Sequence, residues 1–254
     1  MRTNTGTQPT LALALTAACA LSGALLAGCA STPAVQPVPT PVTTAADNAD
    51  NAAPWYRQAA AAGNAVLVID PAQSLIAVTV RRGGALAHLG HDHVVASRSV
   101  TGFVAPGAGR ADFSFRLDQM TVDEPDLRRE AALDTQPSEA AIAGTRVNML
   151  TRVLEAERFA LVALHAEGLA ADGQTMRLTV TLHGVTRTLP APTRIERSAD
   201  GAGISASGTL QLRQSDFGIT PMSVMGGAMT VLDTMELRFR IVARAGREVG
   251  APGG

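Results

Sequence analysis

Three of the chain's five histidines fall within six residues, as His88, His91 and His93 in the segment AHLGHDHVV. Imidazole is the commonest biological metal ligand, so this H-x-x-H-x-H spacing is the most chemically suggestive feature of the chain. On a strand, residues two apart share a face, so His91 and His93 would offer their rings to one ion while Asp92 points away. Zinc takes three or four such ligands, and His165 or His183 would have to complete the shell from elsewhere. The alternative is that the GHDH loop orders the start of a strand through imidazole hydrogen bonds. No nucleophile or paired carboxylate sits nearby in sequence, which argues against catalysis. Met222, Met225 and Met229 form a second set of soft donors. They would suit Cu(I) beside histidines, or supply the flexible lining of an apolar pocket.

The amino terminus sets the compartment. Residues 11–26, LALALTAACALSGALL, are apolar and uncharged, follow Arg2, and end in Leu26-Ala27-Gly28-Cys29. A run of this length is short for a membrane span, which needs roughly 20 residues, and reads as the apolar stretch of a signal peptide. The LAGC ending resembles a lipobox, in which Cys29 is acylated (palmitate among its chains) and becomes the first residue of the mature protein. Several acyl chains anchor a protein stably where one does not. Ala30, rather than Asp, favours the outer membrane, facing the periplasm, in a Gram-negative envelope. With Cys19 removed and Cys29 acylated no thiol remains, which excludes disulfides and iron–sulfur chemistry.

The sequence therefore divides into a lipoprotein signal peptide (1–28), a lipidated Cys29 with a Pro-, Ala- and Thr-rich tether (29–64), a folded domain (65–244) and a disordered tail (245–254). PAVQPVPTPV within the tether favours extended polyproline-II geometry. Residues 54–63 read as a short helical lead-in that holds the only Trp and the only Tyr, Trp55 and Tyr56. The pair is either a membrane-interface anchor or packing on the outside of the domain. Without residues 1–28 the chain carries 20 Arg and no Lys against 22 acids. No basic stripe appears, which argues against nucleic acid.

Twenty-four Gly, 14 Pro and many short alternating runs point to an all-β fold. RADFSFRL (110–117) puts Phe113, Phe115 and Leu117 on one face. RLTVTL (177–182) does the same for Leu178, Val180 and Leu182, and residues 235–242 for Met235, Leu237, Phe239 and Ile241. His183-Gly184 is a tight-turn signal before a second strand over 185–189 that stops at Pro190. Residues 138–157 read as a helix capped by Ser138, with Ala143, Val147, Leu150 and Leu154 as its apolar stripe.

HGVTR (183–187), IDPAQS (69–74), Gly102 in its strand, the helix-to-strand run VLEAERFALVALHAEGL (153–169) and QSDFGI (214–219) occur in the order of the YceI-like family of periplasmic polyisoprenoid-binding proteins, which the chain resembles over about residues 65–244. Two departures stand out: the family's Pro near Ala160 is missing, and Gln214 replaces an Arg. The resemblance implies an eight-stranded antiparallel, lipocalin-like β-barrel with one or two capping helices. It implies a non-enzymatic binder of an amphiphilic isoprenoid, either polyprenyl or quinone-like, with no required cofactor. Phe113, Phe115, Leu178, Val180, Leu182, Leu237 and Phe239 are the expected tunnel residues. The membrane, through the lipid anchor, is the second expected partner, and a homodimer is compatible with the sequence. The competing expectations are a metal-dependent protein built on His88, His91 and His93, with a divalent ion as its cofactor, and a structural envelope protein with a filled core.

Overall fold

The computed structural model describes residues 46–169 and 174–246. The signal segment, Cys29, the tether to residue 45 and the tail beyond 246 lie outside the described residues.

Thirteen strand segments form there rather than eight continuous strands. Their pairing resolves into eight staves. β1 (Leu67–Ile69) and β2 (Leu75–Gly83) make the first, β3 (His93–Ser97) and β4 (Thr101–Ala105) the second, and β5 (Arg110–Arg116) and β6 (Thr121–Val122) the third. β7 (Leu161–Leu169) and β8 (Thr175–Leu182) follow uninterrupted, and β9 (Val185–Pro192) with β10 (Arg194–Arg197) makes the sixth. β11 (Gly203–Arg213), the two-residue flap β12 (Ser223–Val224) and β13 (Met229–Ala245) complete the set. Every stave is antiparallel to the next, and β13 pairs with β11 on one side and with β1 and β2 on the other. The ring therefore closes as an up-and-down barrel, which leaves fewer free sheet edges than an open sheet would.

The interruptions have local causes. Between β1 and β2, the Asp70 carboxylate accepts the Ala72 amide at 3.0 Å and caps a single 3-10 turn that begins with Pro71. Ser74 then stands in for the missing ladder: its Oγ accepts the Val242 amide of β13 at 3.0 Å. At the sixth stave, β9 runs through Pro190 instead of stopping there. It pairs with β8 alone, so a residue without an N–H is tolerated on the unpaired edge. Only β10 reaches across to β11, with Arg194 opposite Ser207 and Arg197 opposite Ile204.

The HGVTR hairpin follows its turn chemistry. Leu182 pairs with Val185, and His183 and Gly184 both take positive φ, 53° and 73°, as a two-residue type I′ turn requires. Gln214 is buried and donates from Nε2 to the Leu232 carbonyl at 2.9 Å. That carbonyl lies in the bulge of β13 between Val231 and Met235.

Helices cover the outside and one end. α1 (Ala46–Ala61) extends the expected lead-in at its amino-terminal side and packs Ala52 and Tyr56 on Ala105 and Phe103 of β4. α2 (Pro125–Glu130) places Leu127 on the outer faces of β2 and β3. α3 (Glu139–Asn148) is capped by Ser138, whose Oγ accepts the Ala141 amide at 3.2 Å. It runs into a π-helical turn over Met149–Val153. Ile142, Met149, Leu150, Val153 and Leu154 pack on the core, while Val147, expected inward, is 58% exposed.

Candidate functional site

Inward positions differ between the two halves of the barrel. Towards α3 they are large: Phe115, Leu117, Leu212, Phe217 and Met235 are buried in one packed cluster. Towards the other end, where β8 and β11 begin and β5 departs, they are small: Ala111, Ala166, Ala191, Ala206, Gly208 and Ala243. The unfilled space there is a cavity of about 950 Å³, walled by those residues together with Ile76, Val104, Phe113, Leu164, Met176, Leu178, Leu237, Phe239 and Ile241. At about 30 Å³ per liquid water this would hold roughly thirty waters, and it lies at the upper end of ordinary small-molecule sites. A filled core does not describe this half of the barrel. Arg110, Gln174, Thr175, Thr193, Arg194 and Arg197 stand at its mouth.

Four of the seven expected tunnel residues, Phe113, Leu178, Leu237 and Phe239, line this cavity. Phe115 and Val180 are instead buried in the packed half, and Leu182 packs against it. The alanines and Gly208 are not among the residues expected from the sequence. Their signal is the same period-two alternation, carried through every stave and read for size as well as polarity.

A scan against family models matches a YceI-like domain over residues 67–243. The chain belongs to the YceI-like family. A solved polyisoprenoid-binding domain from Saccharophagus degradans, described as implicated in plant cell wall breakdown, is similar to this YceI-like chain at 13% identity. The match covers 72% of this chain and 99% of that one with a TM-score of 0.50, a likeness of fold. BcnA from Burkholderia cenocepacia aligns at 14% identity over 68% of this chain and 98% of its own, with a TM-score of 0.48. The YCEI protein of Campylobacter jejuni aligns at 14% identity over 56% and 77%, with a TM-score of 0.37. No curated protein matches the chain.

The YceI-like domain does not gather its histidines into a metal site. Among the described residues no three His, Cys, Asp or Glu side chains converge as an ion would require. The expectation for His88, His91 and His93 fails because the segment is not one strand. His88 lies in a 3-10 turn (Ala87–Leu89), β3 starts only at His93, and the rings of His91 and His93 are 6.2 Å apart and nearly perpendicular.

The segment instead orders the start of β3. His93 Nδ1 lies 2.6 Å from Asp123 Oδ2, and its Nε2 faces Thr145 Oγ1 at 3.4 Å. Asp123 Oδ1 also accepts the Val94 amide and the Arg128 guanidinium, the latter at 2.6 Å. Burial alone would raise the Asp123 carboxyl. The His93 hydrogen bond, the Val94 amide and Arg128 outweigh it and hold the group below the usual carboxylate range. Asp92 accepts the Arg82 amide and an Arg81 N–H. Burial raises it too, but these bonds and the two guanidinium charges carry it below the ordinary value. None of these groups lines the cavity. Met222, Met225 and Met229 do not line it either, and Met225 is 66% exposed. Met176 is the thioether on the wall.

On the outer wall beside the mouth, Asp112 is buried although alternation directs it towards solvent, because α1 covers it. It accepts the Tyr56 hydroxyl at 2.8 Å and Arg110 Nε at 2.7 Å, and His165 Nδ1 lies at 2.7 Å. Burial, then the Asp112 carboxylate, push the Tyr56 hydroxyl well above its ordinary pKa. Arg110 also lies 4.5 Å from the centre of the Trp55 ring. Of the two sequence readings of the Trp55-Tyr56 pair, the structure places it on the outside of the domain.

Proposed function

We propose that this YceI-like domain binds and carries an amphiphilic isoprenoid whose chain occupies the barrel cavity, and that it acts as a binding protein rather than an enzyme. The observation that carries this reading is the cavity of about 950 Å³ with a predominantly apolar wall and a polar mouth. Apolar burial supplies roughly 0.8 kcal/mol per CH₂, so a chain of several isoprene units gains ample gross affinity without a charged anchor. The relative from Saccharophagus degradans, described as polyisoprenoid-binding, supports the same ligand class. The test is native mass spectrometry of the untagged mature protein, followed by identification of what denaturation releases. An isoprenoid of defined mass is the expected result. A bare protein mass after detergent-free isolation would count against the reading.

The carrier would be a lipoprotein, acylated at Cys29 and held at the outer membrane facing the periplasm. The sequence LAGC and the absence of Asp after Cys29 support this. Labelled palmitate should enter the wild-type chain and be lost in Cys29→Ala. Equal labelling of both would remove the anchor.

A further inference from the structure

The apolar wall accounts for a tail and is silent on the head group; the mouth is more informative. Among the described residues three arginines line the cavity and no Asp or Glu does. Two of the three are already engaged: Arg110 pairs with Asp112, and Arg194 pairs with Glu196 at 2.7 Å. Arg197 forms no ion pair or hydrogen bond with another described residue.

Its direction follows from register. Directly opposed residues of paired strands lie on the same face. Arg197 is opposite Ile204 and Ile195 is opposite Ala206. Ile204 and Ala206 belong to the cavity wall, so Arg197 stands on the lumen face of β10 at the mouth, while Arg194 and Glu196 share the outer face. A guanidinium stays charged at any physiological pH, and its planar fork matches the oxygens of a phosphate or carboxylate. Neutral neighbours at the mouth, Gln174, Thr175 and Thr193, cannot cancel its charge.

We infer that Arg197 receives the oxyanion head, phosphate or carboxylate, of the amphiphile whose tail fills the barrel. The ligand class is then an anionic isoprenoid rather than a neutral alcohol or quinone. This rests on the barrel-ligand reading above, and the test separates the two.

The full chain and its Arg197→Gln variant are titrated with three probes of equal chain length: a polyprenol, its monophosphate and the corresponding isoprenoid carboxylic acid. Wild type should bind at least one anionic probe roughly tenfold more tightly than the alcohol, as a charge-assisted bond gives, with a preference that falls as salt is raised. Arg197→Gln should bring anion and alcohol to within about twofold of each other, and a thermal unfolding curve that matches wild type shows that the variant is folded. A phosphate preference or a carboxylate preference each supports the inference and tells the two heads apart. Equal binding of alcohol and anions by wild type, or parallel weakening of all three in the variant, overturns the role of Arg197 and leaves the barrel reading standing. Failure of every probe to bind wild type overturns both.

Discussion

Replacing Ala206 by Trp is expected to lower lipid retention at least tenfold while shifting the melting temperature by only a few degrees. Ala206 sits on the lumen face of β11, opposite Ile195 and Ile241, and is only partly buried. An indole there grows into existing space, so the overpacking that penalises added volume in a filled core does not apply. It removes room for several carbons of chain, and at about 0.8 kcal/mol per CH₂ the loss of two already exceeds the 1.4 kcal/mol that corresponds to tenfold. Val180→Trp is the matched control. Val180 lies in the packed half, so the same side chain should cost about 1–3 kcal/mol in stability. Native mass spectrometry reads lipid occupancy of both variants and thermal unfolding reads stability. Unchanged occupancy in Ala206→Trp would place the ligand elsewhere.

The largest effect on stability is expected at Asp123. Its side chain is fully buried and Arg128 is nearly so. Asp123→Asn keeps the shape and tolerates the left-handed φ of 58° that this position takes, but it leaves the Arg128 charge without its counterion. Breaking a buried pair from one side costs about 3–5 kcal/mol, or roughly 6–20 °C in melting temperature for a domain of this size. The same carboxylate sets a pH dependence. Its folded pKa lies below the unfolded value of about 4, so its stabilisation is complete above that value. The contribution is lost as pH falls through the lower folded value. Urea midpoints measured downward from pH 5 should fall for wild type and fall less steeply for Asp123→Asn. Parallel slopes would show that Asp123 does not drive acid unfolding.

Much of the barrel was legible because its determinants are local. Period-two alternation marks β5, β8 and β13, and the His183-Gly184 turn joins β8 to β9 in the only register that its two residues permit. Asp70, Pro71 and Ser74 end one strand segment and begin the next through the hydrogen-bonding habits of their own side chains. Ser138 caps its helix for the same reason. These are short-range effects, and the amino-acid order alone determined them.

Tertiary structure decided the rest. Spacing made His88, His91 and His93 look like ligands, but a 3-10 turn before β3 removed the common face that the argument needed. Asp112 alternates as a solvent-facing residue and is buried, because a helix from a distant part of the chain lies over it. The path of β9 through Pro190 depends on an edge left unpaired by β11. The cavity depends on small residues from five staves meeting at one end of a closed ring. Each of these outcomes is set by which distant segments become neighbours. A chain's alternation reports which side of its own strand a residue occupies, and only closure of the barrel determines what stands across from it.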